Sequence, residues 1–208
     1  MSRQGNGLLF KIARLRVVVS RLFAVIIILL VLFTAPSFKQ GGLPDILFEI
    51  FGLFLLTICS IGRLWAMLYI SGHKTHAVIT EGPYSVVRHP LYLFSLIGAI
   101  GIGLASENLL VLAAMIIFYL SYYPLTIISE ERTLTEKFGQ EYLDYIKRTP
   151  RFVPKLSLYK SPSQVVINAD IFLKNLVIGM WFIWIYILFQ FIETLQLNGQ
   201  IPIIMRVP

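Results

Sequence analysis

An apolar stretch framed by two polar clusters constrains this chain more than any other feature. The clusters are THAVITEGPYSVVRHPLY, from Thr75 to Tyr92, and SEERTLTEKFGQEY, from Ser129 to Tyr142. The stretch between them, from Leu93 to Ile128, is 36 residues long and almost wholly apolar. As one helix it would extend about 54 Å, against the roughly 30 Å hydrocarbon core of a bilayer. It must therefore turn back on itself, and Ser106-Glu107-Asn108, after Gly98, Gly101 and Gly103, supplies the turn. A hairpin returns both of its ends to one membrane face. The two polar clusters are thereby expected side by side.

Composition agrees with a chain dissolved in lipid. Apolar residues make up 57% and charged residues only 14%, where soluble domains carry about 25% charged residues. The expectation is one all-α membrane domain over 1–208, a helical bundle of about five transmembrane helices. The spans are read at 17–34, 46–70, 91–105, 109–128 and 171–192, with the span 3–span 4 hairpin at its centre. The N-terminus has a signal peptide's basic and apolar regions, but Ala35-Pro36-Ser37 is a poor cleavage site, so a retained first span is expected. Cys59, the single cysteine, lies in an apolar segment and is read as a small buried residue.

Charge sets the expected orientation. Arg3, Lys11, Arg14, Arg16 and Arg21 precede the first span, and seven further Lys and Arg fall within 130–160. One side of the expected bundle holds only Lys39 and Arg206. The positive-inside rule puts the N-terminus and the segments 71–90 and 129–165 in the cytoplasm, in an inner or plasma membrane. A net charge of +7 placed beside spans fits lipid headgroups as partners better than nucleic acid.

After the fourth span, Leu134, Phe138, Tyr142, Tyr145 and Ile146 recur at helical spacing, which predicts an amphipathic cytosolic extension interrupted at Gly139. Pro150 and Pro154 then impose an extended segment, RTPRFVPK, which Pro162 ends. All three histidines, His73, His76 and His89, fall in the first cluster, without a recurring metal-ligand spacing or a cysteine ligand. No metal is expected, and His73 is read as a hydrogen-bonding loop residue. Gly82-Pro83-Tyr84 reads as a turn, and Arg88-His89-Pro90 as a helix start. A helix start explains Pro90 but not an arginine, a histidine and two tyrosines, Tyr84 and Tyr92, at one membrane entry point. Glu130-Glu131 follows the fourth span, where ionisable groups need partners. Arg88 and His89 are the partners that the hairpin offers.

HAVITEGPYSVVRHPLY followed by EERTLTEKFGQEYLDYIKRTPRFVP resembles the membrane methyltransferases of the isoprenylcysteine carboxyl methyltransferase and phospholipid methyltransferase group. The resemblance runs from about Tyr69 to Pro154. It implies an S-adenosylmethionine cofactor at the cytosolic ends of the hairpin and a lipophilic or lipid-linked substrate. Carried over by position, the cofactor contacts are His76, Ala77, Val78, Ile79, Tyr84, His89, Pro90, Leu91, Tyr92 and Glu130, with Tyr69 as a further contact. Arg88, His89 and Glu131 are the catalytic candidates. Tyrosine faces suit adenine and a sulfonium, and a carboxylate suits an ammonium or ribose hydroxyls. Arg88 would answer the cofactor carboxylate or a lipid phosphate. Members that methylate a prenylated cysteine carboxylate have an arginine four residues before the first glutamate. Here that position is Thr126, which leaves carboxylate, amine and thiol acceptors open.

Two other classes compete. Sterol reductases share a GPY…RHPxY end and would use a nicotinamide cofactor, although the glutamate pair with FGxxYxxY favours methyl transfer. A small membrane scaffold would use the same charges for assembly alone. Transport is disfavoured, since no span has a charge near its middle.

Overall fold

A computed structural model of the chain describes residues 3–37, 41–71, 77–165 and 167–207, with side chains of the first helix described from Val18 onward. The chain runs through α1 (Arg3–Phe33), a short strand β1 (Thr34–Pro36), α2 (Leu43–Ile70) and a single helical turn, α3 (Pro83–Val86). The hairpin is α4 (Pro90–Ala105) and α5 (Leu109–Phe138), and α6 (Gln140–Arg148) extends it. Helices α7 (Ala169–Gly179) and α8 (Trp181–Leu197) and a short strand β2 (Met205–Val207) complete the described chain.

The hairpin turns where expected. Pro90 opens α4 in its first turn, where its missing N–H costs nothing. Asn108 caps α5, its Oδ1 accepting from the backbone N–H groups of Leu110 at 3.0 Å and Val111 at 3.2 Å. Between the helices Glu107 takes φ +53°, the left-handed conformation that reverses the chain in three residues. Gly139, at φ +54°, breaks the helix between α5 and α6. Glu130 and Glu131 lie on the uninterrupted last part of α5.

Helices α2 and α4 pack most closely. A Cβ on Gly52 would lie 2.6 Å from the backbone nitrogen of Ala105, so only glycine allows that approach. The buried core joins Ile27, Val31, Leu56, Ile102, Ala105, Val111, Phe189 and Ile192, and lies toward the hairpin turn. There β1 and β2 pair in parallel, Thr34 opposite Met205. Gln196 Nε2 donates to the carbonyls of Val31 at 3.0 Å and Leu32 at 2.9 Å, which would otherwise end α1 unpaired.

Three helical stretches are long and apolar enough to cross a membrane: Leu43–Ile70, Leu109–Phe138 and Ala169–Leu197. Val18–Phe33 and Pro90–Ala105 are apolar and shorter. Large apolar side chains face outward on them, among them Phe54, Ile61, Ile117, Leu120, Trp181, Trp184 and Phe191. Such a surface is matched by lipid, not by water. The expected fifth span is built as two abutting helices, with Met180 between them.

Candidate functional site

The site forms where the hairpin's two open ends meet. On the α4 side, Gly82 takes φ +58°, and a Cβ there would lie 2.3 Å from the Tyr69 ring. Glycine is therefore required both by the backbone and by the ring beneath it. Tyr69 packs under this turn and is not among the residues that line the cavity. The proline-bearing segment after α6 lies along this loop. The N–H of Arg88 donates to the Pro150 carbonyl at 2.9 Å, that of Lys155 to Val86 at 3.0 Å, and that of Gly82 to Lys160 at 2.7 Å. A strap from 149 to 160 thus holds the first cluster in place.

Arg88 and Glu131 join the clusters. Arg88 Nε donates to the Thr149 carbonyl at 2.6 Å and Nη2 to that of Ile146 at 2.8 Å, satisfying carbonyls at the C-terminal end of α6. Its Nη1 lies 3.2 Å from Glu131 Oε1. His89 Nε2 is 3.1 Å from the same oxygen, and Arg151, on the strap, binds both Glu131 oxygens through Nε at 3.1 Å and through Nη2. Glu131 thus has three partners and is buried. A carboxylate only accepts, so the neutral His89 ring carries its proton on Nε2 and leaves Nδ1 as an acceptor.

The titratable groups are tuned by burial. Burial holds the His89 imidazole below its ordinary value, against the opposing pull of Glu131 and Glu130. It pushes the phenol of Tyr142 up to about 12 and that of Tyr84 well above the usual range. The wall therefore presents neutral hydroxyls and aromatic faces.

A cavity of about 550 Å³ opens beside this network, a volume typical of small-molecule sites. Ala77, Val78, Ile79, Tyr84, Arg88, His89, Pro90, Leu91, Tyr92 and Glu130 all line it. Glu131, one residue on, does not: it faces the ion-pair network. His73 and His76 lie outside the described residues. The sequence reading missed Arg63 and Ser95, from α2 and α4, and Tyr122, Tyr123, Tyr142 and Tyr145, all of which line the cavity. It weighed Thr126 only as a lost arginine, yet Thr126 is also in the wall. Aromatic rings continue inward from His89: Tyr92 at 5.7 Å between centroids, then Tyr123 at 5.5 Å from Tyr92. Tyr119 stacks on Tyr123 at 4.2 Å. The Tyr142 hydroxyl and Arg63 Nε are buried without a hydrogen-bond partner among the described residues.

The family model of phospholipid methyltransferases matches residues 47–141, which span α2, both hairpin helices and the start of α6. The chain is 36% identical over 157 residues to the nickel-cobalt-cadmium resistance protein NccN of Alcaligenes xylosoxydans xylosoxydans, covering 76% of this chain and 73% of that one. It is 39% identical over 132 residues to the cobalt-zinc-cadmium resistance protein CzcN of Cupriavidus metallidurans, covering 64% and 61%. Protein-S-isoprenylcysteine O-methyltransferase B of Arabidopsis thaliana is 31% identical over 98 residues, covering 47% of this chain and 50% of that one. No solved structure matches the chain. The matched segment supplies most of the cavity wall, and with these relatives it places the chain in the family of membrane methyltransferases that holds the phospholipid and isoprenylcysteine enzymes.

Proposed function

We propose that this chain transfers the methyl group of S-adenosylmethionine to a nucleophile on a lipophilic or lipid-linked acceptor, in the cavity at the open end of the hairpin. The observation that carries this reading is the position of the two polar clusters. They lie 43 residues apart between Arg88 and Glu131 and contribute to one cavity of ligand size.

The wall suits the cofactor. Glu130 offers a carboxylate to an ammonium or to ribose hydroxyls, and Tyr84 and Tyr92 offer ring faces to adenine and sulfonium. The Tyr142 hydroxyl, buried and unpartnered among the described residues, offers a hydrogen bond that a ligand would complete. S-adenosylmethionine supplies an electrophile already activated by its positive charge. The protein's part is to hold the acceptor in line and keep water out. Arg88 and Arg151 fix Glu131, and Glu131 fixes the His89 ring. Among the catalytic candidates, we assign Glu131 as a positioning residue. For an amine acceptor, His89 Nδ1 would take the proton. A thiolate or carboxylate needs no base.

The orientation we adopt puts the open end in the cytoplasm, on the positive-inside argument. The cofactor then enters from water and the acceptor sideways from the bilayer, past α1 and α5. Purified protein incubated with radiolabelled cofactor and a total membrane extract tests the reading. Label is expected in the lipid or membrane-protein fraction. Label that stays in the cofactor, alongside NADPH consumption, would favour the reductase instead. From the similarity to the two metal-resistance proteins we infer that the reaction contributes to resistance to metals such as cobalt or cadmium. Loss of the gene is then expected to raise cobalt or cadmium sensitivity, with no rescue by a Glu130→Ala copy.

A further inference from the structure

We propose that Asp45, Glu107 and Glu193 form a binding site for a divalent cation of calcium type, at the closed end of the hairpin and away from the cavity. The site does not depend on the methyltransferase reading.

Three distant segments meet there. Asp45 lies in the first turn of α2, Glu107 in the turn between α4 and α5, and Glu193 on α8. One carboxylate oxygen from each lies within 4.8 Å of the other two. The 16 residues of α4 separate this end from the cavity, which is about 24 Å of helix. Positions 45, 107 and 193 share no local spacing, so no motif announces the group.

Asp45 and Glu107 are 9% and 4% exposed, and Glu193 is half-buried. Asp45 Oδ2 accepts from the Gly41 N–H at 2.7 Å. Its Oδ1 is buried and has no hydrogen-bond partner among the described residues. No described Lys, Arg or His lies within ion-pair distance of Asp45 or Glu107. A buried acceptor without a donor is costly, and so are like charges brought together under cover. One cation among the three carboxylates relieves both.

Glu107 and Glu193 also line a small cavity of about 20 Å³ with Thr34, Ser106 and Gln196, which has room for about one water-sized guest. Gln196 spends its Nε2 on the carbonyls of Val31, Leu32 and Thr34 and keeps Oε1 as an acceptor. The donors present are oxygens, without the nitrogen or sulfur that zinc prefers. Oxygens bound to one calcium at roughly 2.3–2.6 Å lie at most about 5 Å apart, a limit the cluster meets. Magnesium keeps much of its water and is seldom caged by protein carboxylates alone. The ion ties the start of α2, the hairpin turn and α8 together. In chelator a proton on Glu107 offsets part of the charge instead, so the ion-free chain stays folded but is less stable.

The test is calorimetric titration of chelator-treated, detergent-purified full-length protein with calcium, paired with thermal unfolding. Wild type is expected to bind one calcium per chain and to unfold about 3 °C or more higher when saturated. Asp45→Asn, Glu107→Gln and Glu193→Gln should each weaken binding tenfold or more and lose the calcium-dependent shift. Glu136→Gln, an exposed carboxylate on α5, should leave both unchanged. Circular dichroism in chelator reports that each variant has folded, and three variants keep the test open if one has not. Magnesium is expected to bind at least tenfold more weakly than calcium, and equal binding overturns the calcium assignment. No saturable calcium binding to wild type overturns the site, as does binding that survives intact in the folded variants.

Discussion

Arg88 and Glu131 form an ion pair across the open end of the hairpin, Nη1 to Oε1 at 3.2 Å, with side chains only 13% and 9% exposed. Each belongs to a different polar cluster, so this pair is the covalently unlinked joint of the site. Removing one partner of a buried pair leaves an uncompensated charge, which costs about 3–5 kcal/mol. Glu131→Gln and Arg88→Gln are each expected to destabilise by roughly that amount in thermal unfolding. The Glu131→Gln loss should exceed that of Glu130→Gln, because Glu130 lines the cavity and has no buried ion pair among those described. The double variant should lose less than the sum of the singles, since the two charges are coupled.

His89 predicts a pH dependence with a definite sign. Burial holds its imidazole below the ordinary value of 6.5 in the folded protein. The unfolded chain therefore takes up the proton first as pH falls. The contribution of neutral His89 to stability is complete above about pH 6.5 and is lost as pH drops from there toward the folded value. Wild type is expected to lose stability over that acid limb relative to His89→Gln. Paired unfolding curves between pH 5 and 7.5 check it, and a constant difference across that range would contradict it.

Glu107, in the hairpin turn, carries the opposite dependence. Burial, a hydrogen bond with Asp45 and the nearby charges of Glu193 and Glu49 push its carboxyl up to about 9. The folded state then holds a proton that the unfolded state releases from about pH 4.5 upward. Stability should fall as pH rises between those values. Glu107→Gln keeps the shape without the charge, and is expected to be more stable than wild type at pH 8 by at least about 1 kcal/mol. The gap should close at pH 4.5.

Gly82 joins backbone conformation to site assembly. Its φ of +58° and the ring of Tyr69 beneath it exclude a Cβ. Gly82→Ala is expected to cost more than about 1 kcal/mol. It should also loosen the strap, since the Gly82 N–H holds the Lys160 carbonyl. Faster proteolysis within 149–160 checks the second effect. A Tyr69→Ala background should relieve the clash but not the backbone strain.

How much of this was legible in the sequence follows from the range of each interaction. The hairpin was, because a 36-residue apolar stretch cannot cross a bilayer once, and Asn108 is a strong helix cap. The residues on the cavity wall from 77 to 92 were, through their motif. Glu130 was named for the cavity through the same motif, but that Glu131 turns away from it was not legible. Neighbours on a helix diverge by about 100°, and only the packed structure says that Glu130 looks inward to the cavity and Glu131 to the arginines. Arg151 was hidden because prolines route it back through an irregular strap. Arg63 was visible as a charge late in an apolar span, but its meeting with Ser95 depends on the close packing of α2 on α4. The pairing of β1 with β2 joins three-residue strands at opposite ends of the chain, too short to show a pattern.

Calorimetric titration of the purified protein with S-adenosylhomocysteine tests the central claim most directly, because it asks whether the two clusters make one cofactor pocket. The account predicts saturable binding at one site, weakened tenfold or more by Glu130→Ala from the second cluster and likewise by Tyr84→Ala from the first. Binding unaffected by either substitution, or no binding to wild type, would contradict it.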